Sequence, residues 1–164
     1  MPIPPILEKK DLSACSPAEI KQFAALVLSG NEVDAQGLEN RIRQAAYLLF
    51  LKSDELLGTA ALKRPSPQHR RSVAGGSGIL LPEKSFPYEL GWIFVAVAMR
   101  GRGYSTVLVD AAVGLLGNDG CFATSRHDNI PMHRSLERYG FVRAGTPYAS
   151  LRGNYQLQLF TRSV

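Results

Sequence analysis

A continuous strand–turn–helix passage between residues 88 and 116 constrains this chain more than any other feature. Tyr88 to Val97 reads as a strand that is apolar on both faces, with Leu90, Trp92 and Phe94 pointing one way and Gly91, Ile93 and Val95 the other. Such a strand belongs in the middle of a covered sheet. It runs into Arg100-Gly101-Arg102-Gly103-Tyr104-Ser105, and Thr106 to Leu116 follows as a helix with Val107, Leu108, Ala111, Leu115 and Leu116 on one stripe. A glycine-rich turn ahead of a helix leaves backbone N–H groups pointing outward, at the positive end of the helix dipole, and here it also carries two arginines. That combination suits a phosphorylated ligand, most simply a pyrophosphate.

The remaining punctuation is less dense. Ser16-Pro17-Ala18-Glu19 has the pattern of a capping box with proline in the first helical position, and Ile20, Phe23, Ala24, Val27 and Leu28 follow at helical spacing until Ser29-Gly30. A weaker helix is expected from about Asp34 to Ala46. Tyr47 to Lys52 and Leu56 to Lys63 read as a hairpin around Ser53-Asp54-Glu55. Residues 64–87, rich in Pro, Gly and Ser, are expected to be a functional lid or to hide a short strand at Gly78 to Leu81. Cys121 to Thr124, Phe141 to Ala144 and Tyr155 to Thr161 read as strands. Asn129 to Tyr139 reads as a helix stopped by Gly140. The order predicts one α/β (or α+β) domain over residues 1–164 with a mixed sheet.

Composition sets outer bounds. No apolar run is long enough to span a membrane, and the first residues lack the pattern of a signal peptide. Cys15 and Cys121 lie far apart in apolar company, so a reduced, cytoplasmic protein with packing thiols is expected. No Cys/His cluster has metal-ligand spacing, so no metal is expected. The net charge is +5, with much of the excess between Lys63 and Arg71. That stretch reads as a solvated basic loop, or as a steering patch for an anionic partner such as nucleic acid.

The turn does not fit a dinucleotide fold, which would place it after the first strand with a third glycine, and the Gly-Lys-Ser/Thr of a Walker loop is absent. Arg100-Gly101-Arg102-Gly103-Tyr104-Ser105 instead resembles the Arg/Gln-x-x-Gly-x-Gly/Ala signature of the GNAT superfamily of acyl-CoA-dependent N-acyltransferases, with Ser105 in place of the last small residue. The second signature of that family, an Asn followed by a helix ending in Gly-Phe, resembles Asn129-Ile130-Pro131-Met132-His133 through Tyr139-Gly140-Phe141. The two motifs stand in the family's order with a strand between them. The resemblance implies a mixed, mostly antiparallel central sheet with helices on both faces, and acetyl-CoA as acyl donor. It implies that the N–H groups of Arg102, Gly103, Tyr104, Ser105 and Thr106 hold the coenzyme A pyrophosphate. The main chain at Val95, Ala96 and Val97 would pair with pantetheine, and Asn129 would contact the same arm. Arg134 and Arg138 are expected either at the adenosine phosphates or on an exposed face.

The resemblance also implies roles in proton transfer. Glu89, in an apolar strand where burial would favour its protonated form, stands where the histone-acetylating branch carries its base. The tyrosine that many members use as general acid corresponds to Leu136 here, which leaves Tyr139 as the substitute. Ser125, His127 and Asp128 lie too close in sequence for a triad, and His69 and His133 show no partner pattern. The leading expectation is transfer of an acetyl group to a primary amine of a small molecule or peptide by direct attack in a ternary complex. The rival is a non-catalytic acyl-CoA-binding regulatory module. The acceptor groove is expected from residues 28–38, 64–87 and 146–155, and homodimerisation stays open.

Overall fold

The structure is a computed structural model that describes residues 3–163. Among these residues, seven mostly antiparallel strands and five α-helices make a mixed α/β fold, and the chain divides into two compact units.

The first unit comprises the chain up to Lys63 together with Gly91–Ala112. It holds β1 (Ile6–Asp11), α1 (Pro17–Ser29), α2 (Leu38–Ile42), β2 (Tyr47–Lys52) and β3 (Leu56–Lys63). It also holds the later part of β4 (Tyr88–Val95) and most of α4 (Tyr104–Gly114). Its strand order is β1-β2-β3-β4, with β2 antiparallel to both β1 and β3. The α1 capping box forms as expected: Ser16 Oγ accepts from Glu19 N–H and Glu19 Oε1 accepts from Ser16 N–H. The apolar face that follows buries Ile20, Phe23, Ala24 and Val27. Phe23 meets Phe50 and Trp92 edge-on, with ring centroids 5.6 and 6.2 Å apart, the geometry aromatic quadrupoles favour.

Glu19 also carries an ionic cluster. Its Oε2 lies 2.5 Å from Lys10 Nζ and 3.5 Å from Lys52 Nζ. The Lys10 hydrogen bond, followed by that from Ser16 N–H, lowers the Glu19 pKa from 4.5 to about 2. A carboxylate with a depressed folded pKa stabilises the fold above its ordinary value and loses that contribution as pH falls through the folded one. Denaturant unfolding of the wild type is therefore expected to weaken between pH 4.5 and about 2, more steeply than that of Glu19→Gln.

The second unit comprises Arg64–Leu90 and the chain from Val113 onward. It holds α3 (Pro67–Ser77), the start of β4, β5 (Cys121–Arg126), α5 (Ile130–Arg138), β6 (Val142–Ala149) and β7 (Gln156–Arg162). Its order is β4-β5-β7-β6. β5 is parallel to β4 through Tyr88↔Cys121 and Glu89↔Phe122, and β7 is antiparallel to both β5 and β6. Val73, Leu81, Phe122 and Leu159 form its apolar cluster.

Several expectations need correction. Residues 64–87 hold no strand at Gly78 to Leu81 but a helix: Ser66 caps α3 through His69 N–H, Pro67 takes its first turn, and Gly78 ends it at φ 79°. Lys63 to Arg71 is therefore not a solvated basic loop. Arg70 is 8% exposed and donates to the carbonyls of Leu81, Phe86 and Pro87. It ties down the segment after α3 and is not available to a polyanion. Arg70→Met would strand those acceptors, and we expect a loss of about 2–4 kcal/mol in a urea titration.

The second helix is only Leu38–Ile42, because Gly37 precedes it at φ 72°. On α4 the buried stripe is Leu108, Val109 and Ala112, with Val107 exposed. The regular alternation expected for β4 breaks at Trp92, whose φ is 49°. That costly conformation is held by Thr59 Oγ1 donating to Trp92 O and by Lys63 Nζ 4.5 Å above the indole.

Candidate functional site

The residues expected to bind the donor, Asn129 apart, lie in the first unit. β4 ends at Val95, and a single 3₁₀ turn spans Val97–Met99 before the glycines. Gly101 and Gly103 sit at φ 78° and 80°, left-handed values that side chains with a Cβ resist. They flank Arg102, which is exposed, and lead into Tyr104, the first residue of α4. Val107 N–H bonds to Gly103 O, so the N–H groups ahead of it lie at the start of the helix, where intrahelical acceptors are lacking.

The main chain just upstream is partly committed. Ala96 N–H donates to Leu57 O, and the carbonyls of Ala96 and Val97 accept from Met99 and Arg100. Arg100 Nε donates to Val95 O. Arg100 thus closes the turn on its own strand. Of the three residues expected to pair with pantetheine, Val97 is the most open, at 76% exposed.

A family model described as the Acetyltransferase (GNAT) family matches residues 18–141, a span that contains this turn and the whole Asn129 to Phe141 helix. The chain belongs to the acetyltransferase (GNAT) family. No curated protein matches it. Its fold is similar to that of an acyl-CoA N-acyltransferase from Pseudomonas aeruginosa (16% identity, TM-score 0.69). It is also similar to Escherichia coli ElaA (13%, 0.70) and to a GNAT-family acetyltransferase from Bacillus cereus (15%, 0.65). In each case 97% of this chain and 99% of the other are covered.

The other residues expected at the site, Glu89, Asn129 and Tyr139, lie in the second unit. Glu89 is buried on β4, directly opposite Phe122 of β5. Its Oε2 lies 3.1 Å from His69 Nε2. His69 is the third residue of the helical turn capped by Ser66, and its ring stacks on Phe122 with centroids 6.4 Å apart. Arg70 covers the same Phe122 ring at 5.9 Å. His69 therefore has a partner that its sequence surroundings do not reveal. The Ser66-Pro67 start, the same Ser-Pro pattern that opens α1, is the signal that could have exposed it.

Asn129 and Tyr139 occupy opposite ends of α5. Asn129 Oδ1 accepts from Met132 N–H as the helix cap, which leaves its amide NH₂ as the group able to donate outward. Tyr139 follows the last turn, half-buried, with Arg138 5.8 Å from its ring and its carbonyl accepting from Arg162 Nε. Arg134 and Arg138 are exposed. His133 is structural: it is buried against Phe160, with Nε2 2.8 Å from Arg126 O and Nδ1 3.0 Å from Arg143 Nη2.

The thiols are quiet. Burial drives the Cys121 pKa strongly upward, and burial also raises that of Cys15. Tyr148 of β6 is pushed up to about 12, first by burial and then by the charge of Glu89. Its ring packs where a Cβ on Gly76 would stand. Ser125 is buried while His127 and Asp128 are exposed, so they form no triad. Among the described residues, no group of three or more His, Cys, Asp or Glu side chains could hold a metal, and no helix is long and apolar enough to cross a membrane.

Proposed function

We propose that this GNAT protein transfers the acetyl group of acetyl-CoA to a primary amine by direct attack in a ternary complex. The observation that carries transfer, beyond donor binding, is the buried Glu89 carboxylate hydrogen-bonded to His69. An acceptor ammonium must lose a proton before it attacks a thioester, and a carboxylate–imidazole pair is equipped to take one. On the donor side, the N–H groups from Arg102 to Thr106 hold the pyrophosphate, as the left-handed Gly101 and Gly103 favour. The N–H groups at Val95 and Val97 serve the pantetheine arm, and the Asn129 amide donates to it. Direct attack fits thiols whose pKa is raised, since neither is poised as a nucleophile. The thiolate leaves with a proton from Tyr139 or from solvent. A cytoplasmic site of action fits two free cysteines.

Acetyl-CoA at about 100 times its Kd should stabilise the protein by about 2.7 kcal/mol and raise Tm by several degrees. Thiol release should then appear with one or more members of a panel of small amines and lysine peptides. Absence of thermal stabilisation by acetyl-CoA and CoA sinks the proposal. Stabilisation without thiol release from any amine makes the protein an acyl-CoA-binding module.

A further inference from the structure

We propose that His69 is the proton acceptor of the transfer, taking the amine proton at Nδ1 while Glu89 orients the ring through Nε2. This rests on the acyltransferase reading above. Of the pair, the Glu89 side chain is 4% exposed and that of His69 42%, so the imidazole is the member with surface to meet an incoming amine. Its ring is held by two contacts: it stacks on Phe122, and Nε2 meets Glu89 Oε2 at 3.1 Å; the backbone N–H of His69, bound by Ser66 Oγ at 3.1 Å, fixes the start of the helix that carries it. A carboxylate accepts the Nε2–H, which fixes the tautomer whose lone pair is on Nδ1. The imidazolium formed on proton uptake is then stabilised by the same carboxylate.

The titratable or charged groups around the pair include Arg70 on α3, Cys121 on β5 and Tyr148 on β6. Arg70 is bound to three carbonyls. Cys121 and Tyr148 both feel the charge of Glu89, and burial keeps both protonated at neutral pH. In the step itself Nδ1 first takes one proton from the acceptor ammonium and passes it to solvent; the free amine then attacks, the N–C bond forms, the C–S bond breaks and the second nitrogen proton passes to Nδ1. The coenzyme A thiolate departs with the bonding pair, and the imidazolium returns its proton to solvent or to that thiolate.

The test uses the full chain. NMR of the imidazole nitrogens should find Nε2 protonated and Nδ1 bare in the wild type; the opposite tautomer overturns the proposal without need of an acceptor. With the amine that the wild type turns over fastest, His69→Gln should lower kcat/KM by about 100-fold or more. Added imidazole should partly restore His69→Ala, a rescue that a purely structural role would not give, and acetyl-CoA affinity should be unchanged in both variants. A His69→Gln enzyme within about threefold of wild type, or a His69→Ala enzyme deaf to imidazole, overturns the assignment and leaves the proton to the Glu89 carboxylate. A wild type that fails to bind acetyl-CoA overturns the acyltransferase reading itself, and it does so whatever tautomer His69 adopts.

Discussion

Replacing Glu89 by glutamine should lower kcat/KM for acetyl transfer by about 10²–10⁴-fold, or about 3–5 kcal/mol of transition-state stabilisation. Glutamine keeps the shape and a hydrogen-bonding oxygen beside His69 Nε2, so the variant should fold with its second unit intact. What it loses is the negative charge. Without that charge neither the carboxylate nor the imidazole it supports can hold the amine proton well. The turn from Gly101 to Gly103 and most of α4 belong to the first unit, and acetyl-CoA affinity should stay within about threefold of the wild type. The decisive measurement is the split between the two: kcat falling with the donor Kd steady. A variant that loses donor binding and turnover together assigns Glu89 to the structure of the protein and away from its chemistry.

The largest effect on stability is expected at Gly145. This residue lies in β6 at φ 69°, inside the irregular stretch between Ala144 and Tyr148 where the pairing with β7 shifts. A Cβ here would be driven into the Ser77 carbonyl and would stand 2.9 Å from Ile79 Cγ1. Ser77 ends α3, so the obstacle is backbone that cannot step aside as a flexible side chain would. Gly145→Val should cost about 3–5 kcal/mol, the sum of left-handed strain and a rigid clash. Gly78→Ala separates the two contributions. Gly78 has φ 79°, and the place its Cβ would take has nothing within 4 Å, so the substitution should cost only about 1 kcal/mol. Urea midpoints at constant slope read both. Equal costs would remove the Ser77 clash from the account.

Where the sequence announces structure, it does so through local chemistry. The Ser16–Glu19 box, the hairpin of β2 and β3, and the Asn129 cap each satisfy backbone groups with partners a few residues away, so a reader of the chain can see them. The turn at Arg100 to Ser105 is legible for the same reason, since left-handed glycines and a helix start need no distant partner. α3 stays hidden because its buried face is Arg70, Val73 and Ser77. The spacing is helical, but only one of the three is apolar, and the arginine belongs there only because three carbonyls surround it. His69 is lost with that helix. β1 escapes notice because it buries none of its residues; it holds its place by pairing with β2, and its charged residues are those of a guarded sheet edge. Glu89 is recognisable as a candidate from its apolar strand, but its link to His69 spans two elements and exists only when they are folded.

The parallel match of Tyr88 and Glu89 to Cys121 and Phe122 bears on when the protein acquires its chemistry during synthesis. Parallel neighbours cannot be joined by a tight turn, so the intervening chain must complete a crossover before the match exists, and closing that long loop has an entropic cost that short-range pairing avoids. A nascent chain that has emerged only as far as α4 already carries the residues of the proposed pyrophosphate turn, yet Glu89 still lacks its β5 neighbour Phe122. The proposed pyrophosphate contacts can thus be in place before the Glu89–His69 pair is enclosed, with Asn129 still to come. Under the proposed function, chains interrupted between Leu90 and Cys121 are expected to be inert as catalysts, because Glu89 then lacks the strand that pairs with it.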